Sequence, residues 1–321
     1  MRLTVATVVV AGLLTTGFTC TVSGPGGFSP VVGIASLSPA HEPTPSTSDW
    51  SSYWLQMRGQ GGSQGINVPW DDSGAGVIPA AIPYVTQAGF APVMVLGVTS
   101  AMGDSGKMAS LEAMLTTLVK QYSPVYLGLG NEIDEESSFD DVAAFVNQLA
   151  DYVHSLGKPT AVFTVFQYEH MLGLPDAADR IAAVASVDFV AFTTYPFLRY
   201  STGDAVPSDY YDPIATWTNL PIAFSEVGWP SRADNGPAYP NVRGSEQDQL
   251  DLIQTFRAAV TGYPTLFANW FALHDSAAWV EGAPVATFED VVQSAGLMAN
   301  DSNDSKAALA SWLNRSAPEP E

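Results

Sequence analysis

The chain has 321 residues, of which 46% are hydrophobic, and its 33 acidic and 12 basic side chains give a formal net charge of −21. This length suits a single barrel domain of about 250 residues. Nucleic-acid-binding proteins are recognised by a basic patch, and none is visible in this acidic sequence, so we expect no nucleic-acid partner. We interpret the acidity itself as a feature that keeps the protein soluble.

The first twenty residues have the pattern of an export signal. Arg2 precedes the apolar stretch Val5–Phe18, which is too short to span a membrane comfortably. Cys20 follows directly, and this order resembles that of bacterial lipoproteins, whose first mature residue is a lipid-modified cysteine. A lipid anchor at Cys20 and an ordinary secretory signal cleaved between Cys20 and Ala40 are the two alternatives. Both predict a secreted or extracytoplasmic protein.

Residues 21–30 form a predicted linker rich in Gly, Ser and Pro, and residues 31–316 form the predicted domain. In this domain, short apolar runs rich in β-branched and aromatic residues alternate with helical patterns. The predicted strands are Val31–Leu37, Gly65–Pro69, Pro92–Val98, Val125–Glu132, Thr160–Phe166, Val187–Tyr195, Pro221–Val227 and Thr265–Leu273. The predicted helices are Asp49–Arg58, Val77–Ala88, Leu111–Tyr122, Phe139–Leu156, Asp176–Ala185, Tyr210–Thr218, Ser245–Thr261 and Ser305–Asn314.

Eight strand–helix pairs in succession predict an α/β fold, a single (β/α)8 TIM barrel. A doubly wound open sheet would also alternate strands and helices. It usually has fewer strands, and no Gly-rich phosphate-binding fingerprint follows any strand of this chain. In a TIM barrel the loops that follow the strands build the active-site face.

Two predicted strands carry a glutamate at their ends. Glu132 is the last residue of the fourth strand, and Glu226 lies at the end of the seventh, one residue before its last. A carboxylate directly after a buried apolar run is costly without partners, so these two side chains indicate a site. Two carboxyl groups about 5 Å apart are the equipment of a retaining glycosidase, in which one donates a proton and the other attacks the anomeric carbon.

The segments around these glutamates resemble clan A of the retaining glycoside hydrolases. Residues 225–231 (SEVGWPS) are similar to the β-1,3-glucanase family, whereas residues 128–133 (GLGNEI) and 194–197 (TYPF) are more similar to the endo-β-1,4-galactanase family. The resemblance implies that Glu132 is the acid/base and Glu226 the nucleophile. It also implies that Asn131 contacts the sugar 2-hydroxyl.

The same resemblance implies further substrate-site residues. Tyr195 ends the sixth strand and is expected to donate a hydrogen bond to the nucleophile, with a barrel-capping aromatic as the alternative. Trp270 on the eighth strand is either a platform for a sugar ring or a core residue. Trp70, after the second strand, either lines a subsite or lies in a solvated loop.

One feature departs from the clan. Its members often carry an arginine at the end of the second strand, which holds the nucleophile ionised. Here the second strand ends Asn67-Val68-Pro69-Trp70, without an arginine. Arg199, after the sixth strand, and Arg232, after the seventh, are the candidates to replace it.

The sequence therefore predicts an exported retaining β-glycosidase that acts on O-glycosidic bonds of a β-linked polysaccharide or oligosaccharide. The alternative is a non-catalytic carbohydrate-binding or surface protein on a degenerate glycosidase barrel, because this fold hosts many functions. The four histidines lack metal-ligand spacing. We therefore expect neither a metal nor a cofactor, and we expect a monomer.

Overall fold

The structure is a computed structural model that describes residues 31–35, 62–69, 82–83, 85–87, 89–232, 242–276, 287–299 and 305–313. The predicted export signal, the linker, the helix predicted at Asp49–Arg58 and the candidate subsite residue Trp70 lie outside the described residues. The prediction of a lipid anchor at Cys20 therefore stays a prediction. In the described part of the chain, no helix has both the length and the apolar character to cross a bilayer.

Eight parallel strands close into a barrel in sequence order, which confirms the predicted TIM barrel. Closure is made by β1 pairing with β8, and this pairing excludes an open doubly wound sheet. The strands are β1 (Val31–Ile34), β2 (Ser63–Pro69), β3 (Ala91–Gly97), β4 (Tyr126–Leu129), β5 (Ala161–Gln167), β6 (Phe189–Thr194), β7 (Ile222–Val227) and β8 (Thr265–Trp270).

Helices follow most of these strands. They are α1 (Ser105–Thr117), α2 (Phe139–Ser155), α3 (Tyr168–Met171), α4 (Ala177–Ala183), α5 (Ile214–Trp217), α6 (Glu246–Val260), α7 (Phe288–Val292) and α8 (Ala307–Trp312). α1 begins six residues before its predicted start, because the Asp104 side chain accepts hydrogen bonds from the backbone N–H groups of Gly106 and Lys107 and so caps the helix there. The helix predicted at Tyr210–Thr218 is a single turn, α5.

The helix α2 packs against the barrel through one apolar face. Its buried residues recur at intervals of three and four, which places them on one face of the helix. That face packs into the hydrophobic layer between the barrel and its helices. The buried residues are Phe139, Val142, Ala143, Val146, Leu149, Ala150 and Val153.

The barrel interior is filled by aromatic side chains. Phe163, Phe189 and Phe267 are at most 1% exposed, and their ring centroids lie 4.8 to 6.1 Å apart. Gly128 on β4 is required here, because a Cβ atom at that position would lie 2.8 Å from the Phe163 ring. This packing closes the interior of the barrel, so a site can form only at its mouth.

The segment after β8 forms a small extra unit. The predicted strand Thr265–Leu273 divides into β8 and a short β9 (Ala272–His274), which pairs with β10 (Gly296–Met298). Lys306 anchors this unit, since its buried ammonium lies 2.6 Å from Asp275 and also donates to the Ser231 hydroxyl. The loops after β7 and β8 are thereby held together beside the barrel mouth.

Candidate active site

A β-bulge turns Glu226 into the barrel. On β7, Ala223 belongs to the interior cluster and Phe224 to the layer under the helices, so strict alternation would turn Glu226 outward with Phe224. The ladder between β6 and β7 is shifted, however, and Thr193 pairs with Glu226 where an unbroken register would pair it with Ser225. Bulges commonly re-aim a side chain beside an active site. Here the extra residue brings the Glu226 carboxylate to the mouth.

Two neutral donors hold the Glu226 carboxylate. Asn67 Nδ2 donates to Oε1 at 2.5 Å, and the Tyr195 hydroxyl donates to Oε2. Burial raises the pKa of Glu226, while the hydrogen bonds from Tyr195 and Asn67 oppose that rise because they stabilise the anion. The hydrogen bond that we expected Tyr195 to donate to Glu226 is therefore present.

Neither candidate arginine is a partner of Glu226 in the described part of the chain. Arg199 donates to the Glu169 carbonyl oxygen at 2.7 Å, and the backbone N–H of Arg232 donates to the Ser294 hydroxyl. Among the described residues, the groups that shift the pKa of Glu226 include no arginine. The sequence does not predict Asn67 as a partner of Glu226, although Asn67 lies near the end of β2, where an arginine is expected.

Glu132 lies just beyond β4 in a left-handed backbone conformation, with φ of 50°. Such a conformation costs on the order of 1–3 kcal/mol for a residue with a side chain and is concentrated at functional sites. Thr193 Oγ1 donates to Glu132 Oε1 at 2.6 Å. Burial, with a further contribution from the negative charge of Glu226, raises the pKa of the Glu132 carboxyl to about 8.

Thr193 connects the two predicted catalytic glutamates. Its side chain bonds to Glu132, and its backbone pairs in register with Glu226. The charges of both glutamates also raise the pKa of Tyr195, after the larger effect of burial. The structure thus brings Glu132, Glu226 and Tyr195 together at one end of the barrel, whereas Asn131 is exposed beside them.

A third carboxylate, Glu169, lies nearby and was not predicted. Glu169 follows β5 on the one-turn helix α3 and, like Glu226, is a buried carboxylate at the carboxyl ends of the barrel strands. Its oxygens accept four hydrogen bonds, at 2.7 to 3.0 Å, from Gln167 Nε2, Thr194 Oγ1, Tyr195 N and Tyr210 OH. Burial raises its pKa and these bonds oppose the rise. The sequence gives little sign that Glu169 is buried and hydrogen-bonded, because it lies in a helical turn. Three of its four donors, Thr194, Tyr195 and Tyr210, are at least 25 residues away in the chain.

An open cleft of about 660 Å³ is lined by Glu132 and Glu169, and by Tyr195, whose hydroxyl donates to Glu226. Its lining combines the acidic groups with basic, amide and aromatic side chains, among them Glu132, Glu135, His170, Tyr195, Arg199 and Phe288. Within the described residues, no group of three or more His, Cys, Asp or Glu side chains is placed to hold a metal ion. The cleft offers several donors and acceptors for a polar ligand.

Trp270 is not brought to this cleft. It is 0% exposed, packs against Trp312 at a centroid distance of 5.4 Å, and donates from Nε1 to the Ala295 carbonyl oxygen at 2.6 Å. Phe267 faces the barrel interior, so alternation along β8 turns Trp270 towards the helices. The structure therefore favours the core alternative over the predicted sugar platform.

Two phenylalanines pack against the ring of Tyr195 beside the cleft. Phe271 and Phe288 contact the Tyr195 ring edge-to-face, with centroid distances of 5.9 and 4.9 Å. Phe288 lines the cleft directly. Neither is predicted from the sequence, because Phe271 directly follows Trp270, the residue expected to be the platform, and Phe288 begins α7, a short helix that no predicted element anticipates.

Comparisons with known proteins detect the fold alone. No family model matches the chain, and no curated protein matches it. Among solved structures, a β-D-glucuronidase of Dictyoglomus thermophilum superposes with a TM-score of 0.63 at 12% identity, covering 90% of this chain and 50% of that one. A Bifidobacterium dentium β-glucuronidase complexed with coumarin-3-O-glucuronide gives 0.59 at 14% identity, covering 90% and 46%.

A third structure, Bacteroides uniformis β-glucuronidase 2, gives a TM-score of 0.58 at 14% identity, covering 85% of this chain and 33% of that one. The chain thus spans half or less of the length of these three solved structures. At such low identity the similarity shows a shared fold and no more. The protein has a TIM barrel like that found in solved β-glucuronidases.

Proposed function

We propose that this protein is a retaining β-glycosidase that hydrolyses O-glycosidic bonds of a β-linked saccharide. The observation that carries the proposal is the pairing of Glu132 and Glu226 around Thr193 at the mouth of the barrel. Their environments differ in the way that the reaction needs. Burial raises the pKa of both carboxyl groups, but Glu226 receives two hydrogen bonds that favour its anion whereas Glu132 receives one, and the charge of Glu226 raises the pKa of Glu132 further.

In the first step, the Glu226 carboxylate attacks the anomeric carbon while the bond from that carbon to the leaving oxygen breaks. Glu132 gives its proton to that oxygen, and the sugar is then bound covalently to Glu226. In the second step, Glu132 removes a proton from water, the water oxygen attacks the anomeric carbon, and Glu226 leaves as a carboxylate. The B. uniformis β-glucuronidase, which is solved covalently bound to an aziridine ligand, supports covalent chemistry on this fold.

The electrostatic coupling supports the change of role at Glu132. The negative charge of Glu226 is one of the groups that raise the pKa of Glu132, so the free protein keeps the proton needed by an acid. Forming the glycosyl ester removes that charge. The pKa of Glu132 then falls, and the group becomes a base for the second step.

This coupling predicts the alkaline limb of the pH profile. A carboxyl with a pKa of about 8 is protonated below that pH and loses its proton above it, so kcat/KM should fall as the pH rises through about 8. In the glycosyl-enzyme trapped with a fluorinated substrate, Glu132 should titrate at a lower pH. An unchanged titration of Glu132 in the trapped form would contradict the proposed coupling of the two carboxylates.

A panel of β-linked saccharides tests which class of substrate the protein cleaves. Product formation from β-glucans, galactans, mannans and β-glucuronides should be measured with purified protein, and the anomeric configuration of the first product should be followed by NMR. We expect cleavage of at least one member with retention of configuration. Binding without cleavage would instead support the alternative, a non-catalytic carbohydrate-binding protein.

We also propose that the protein is exported, on the strength of the apolar segment and Cys20 near its N-terminus. Fractionation of expressing bacteria should place it outside the cytoplasm. Cys20→Ala should release it from membranes if the cysteine carries a lipid, and should leave its distribution unchanged if the signal is an ordinary secretory one.

A further inference from the structure

A histidine in the cleft is held in a fixed orientation and has no role in the chemistry described above. His170 Nδ1 lies 2.7 Å from Asp134 Oδ2. The Asp134 side chain is 0% exposed, and its other oxygen accepts the backbone N–H of Gln167 at 2.8 Å. The side chain of His170, in contrast, is 37% exposed and lines the cleft.

This arrangement leaves one ring nitrogen for a ligand. With Nδ1 bonded to Asp134, Nε2 has no protein partner within the described residues. Burying a carboxylate is costly unless its oxygens are well bonded. Here the buried carboxylate fixes the ring of a half-exposed histidine, as carboxylates do for histidines at binding sites.

The position of His170 relative to Glu132 indicates which part of a substrate it would meet. Asp134 lies on a single 3-10 turn, Ile133–Glu135, that begins directly after Glu132. Glu132, Glu135 and His170 line the same cleft. Since the acid gives its proton to the leaving oxygen, groups clustered on the acid's side face the leaving sugar.

We infer that His170, oriented by Asp134, is a substrate-binding residue whose Nε2 hydrogen-bonds a hydroxyl of the sugar on the leaving-group side of the scissile bond. Asp134 is then a positioning residue. The inference rests on the proposed function for the identity of the ligand as a saccharide. It assigns this cleft a second sugar-binding position beside the one occupied by the sugar that Glu226 attacks.

Binding to a catalytically silent protein tests this inference independently of hydrolysis. In a Glu226→Gln background, calorimetry should measure the affinity for tetrasaccharides of β-1,3-glucan, β-1,4-galactan and β-linked glucuronic acid. For any tetrasaccharide that the parent binds, His170→Ala should weaken binding about 5- to 10-fold, the loss of one hydrogen bond. His170→Gln, which keeps a donor and an acceptor, should recover part of that loss.

His154 provides a matched control. It too pairs with an aspartate, Asp188, at 3.1 Å and is 38% exposed, but it lies near the C-terminal end of α2 and does not line the cleft. His154→Ala should therefore leave binding unchanged. Asp134→Asn should weaken binding as His170→Ala does, and the double variant should be no weaker than either single variant because both act through one contact.

The outcomes separate this inference from the proposed function. Equal affinity in His170→Ala and its parent overturns the inference, and so does a parent that binds none of the three tetrasaccharides. Binding that depends on His170, in a protein whose wild type hydrolyses no member of the panel, overturns the proposed function and leaves the inference standing. Aryl glycosides with no leaving sugar add a second readout, since His170→Ala should not change their KM.

Discussion

Replacing Glu226 with alanine should reduce hydrolysis by about 10⁴-fold or more, the scale on which loss of a nucleophile acts in enzymes that form covalent intermediates. The carboxylate sits at the barrel mouth between Asn67 and Tyr195, and no other side chain described here shares this position. Without it, the sugar cannot be held covalently. The measurement is kcat/KM on the best substrate of the panel, with circular dichroism to show that the barrel still folds.

Azide provides the decisive version of this experiment. The space left by the missing carboxylate admits a small anion, which can attack the anomeric carbon directly. Added azide should therefore restore turnover of an activated aryl glycoside and yield a glycosyl azide of inverted configuration. Glu246→Ala is the control, because Glu246 is an exposed glutamate at the start of α6. Wild-type activity in Glu226→Ala would remove the proposed nucleophile altogether.

The sequence predicts the barrel well because its signals are local. Parallel strands buried on both faces read as apolar runs, and the described strands lie where those runs are, with small differences at their ends. The predicted strand Thr265–Leu273 divides in two because its last residues pair with β10. That pairing depends on a segment more than twenty residues away, which no local pattern reveals.

The site is harder to predict because it depends on which way each strand residue faces. The inward direction of Glu226 depends on a bulge at Ser225 that alternation alone would not reveal. The residue type of Trp270 predicts a sugar platform, but the alternation of side chains along β8 turns it away from the cleft. Asn67 acquires its role only when closure of the barrel brings the ends of β2 and β7 together.

Two further residues that the sequence does not predict lie beyond the strand ends. Glu169 and His170 are on α3, a one-turn helix, where the sequence gives only Tyr-Glu-His. Their partners, among them Asp134 and Tyr210, come from separate loops. A buried hydrogen-bonded carboxylate cannot be told from a solvated one before those loops are in place.

Glu132 and Glu169 compete for the role of acid, and the structure lets one experiment separate them. Glu169 has all its lone pairs occupied by four donors, which leaves no position for a proton to be given to a substrate. Glu132 accepts one hydrogen bond, from Thr193, and faces the cleft with a raised pKa. We therefore assign proton donation to Glu132. We expect the Glu169 carboxylate to position Tyr195 by accepting the backbone N–H of Tyr195.

Glu132→Gln should lower kcat/KM about 10²- to 10⁴-fold on a saccharide with a poor leaving group, the usual contribution of a general acid. It should have little effect on bond cleavage in an aryl glycoside with a very good leaving group, because that oxygen needs no proton. Glu169→Gln replaces an acceptor oxygen by an amide donor facing other donors. Glu169→Gln should therefore lower kcat/KM for both substrates to a similar degree, because it displaces Tyr195 from Glu226.

The ratio of the two rates, rather than either rate alone, identifies the acid. A variant that merely disturbs the fold lowers both rates together and leaves their ratio unchanged. Only loss of the proton donor makes the rate depend steeply on the leaving group. If that dependence appears in Glu169→Gln and not in Glu132→Gln, the catalytic pair is Glu169 with Glu226. The left-handed turn at Glu132 would then have to be explained by substrate binding rather than by proton transfer.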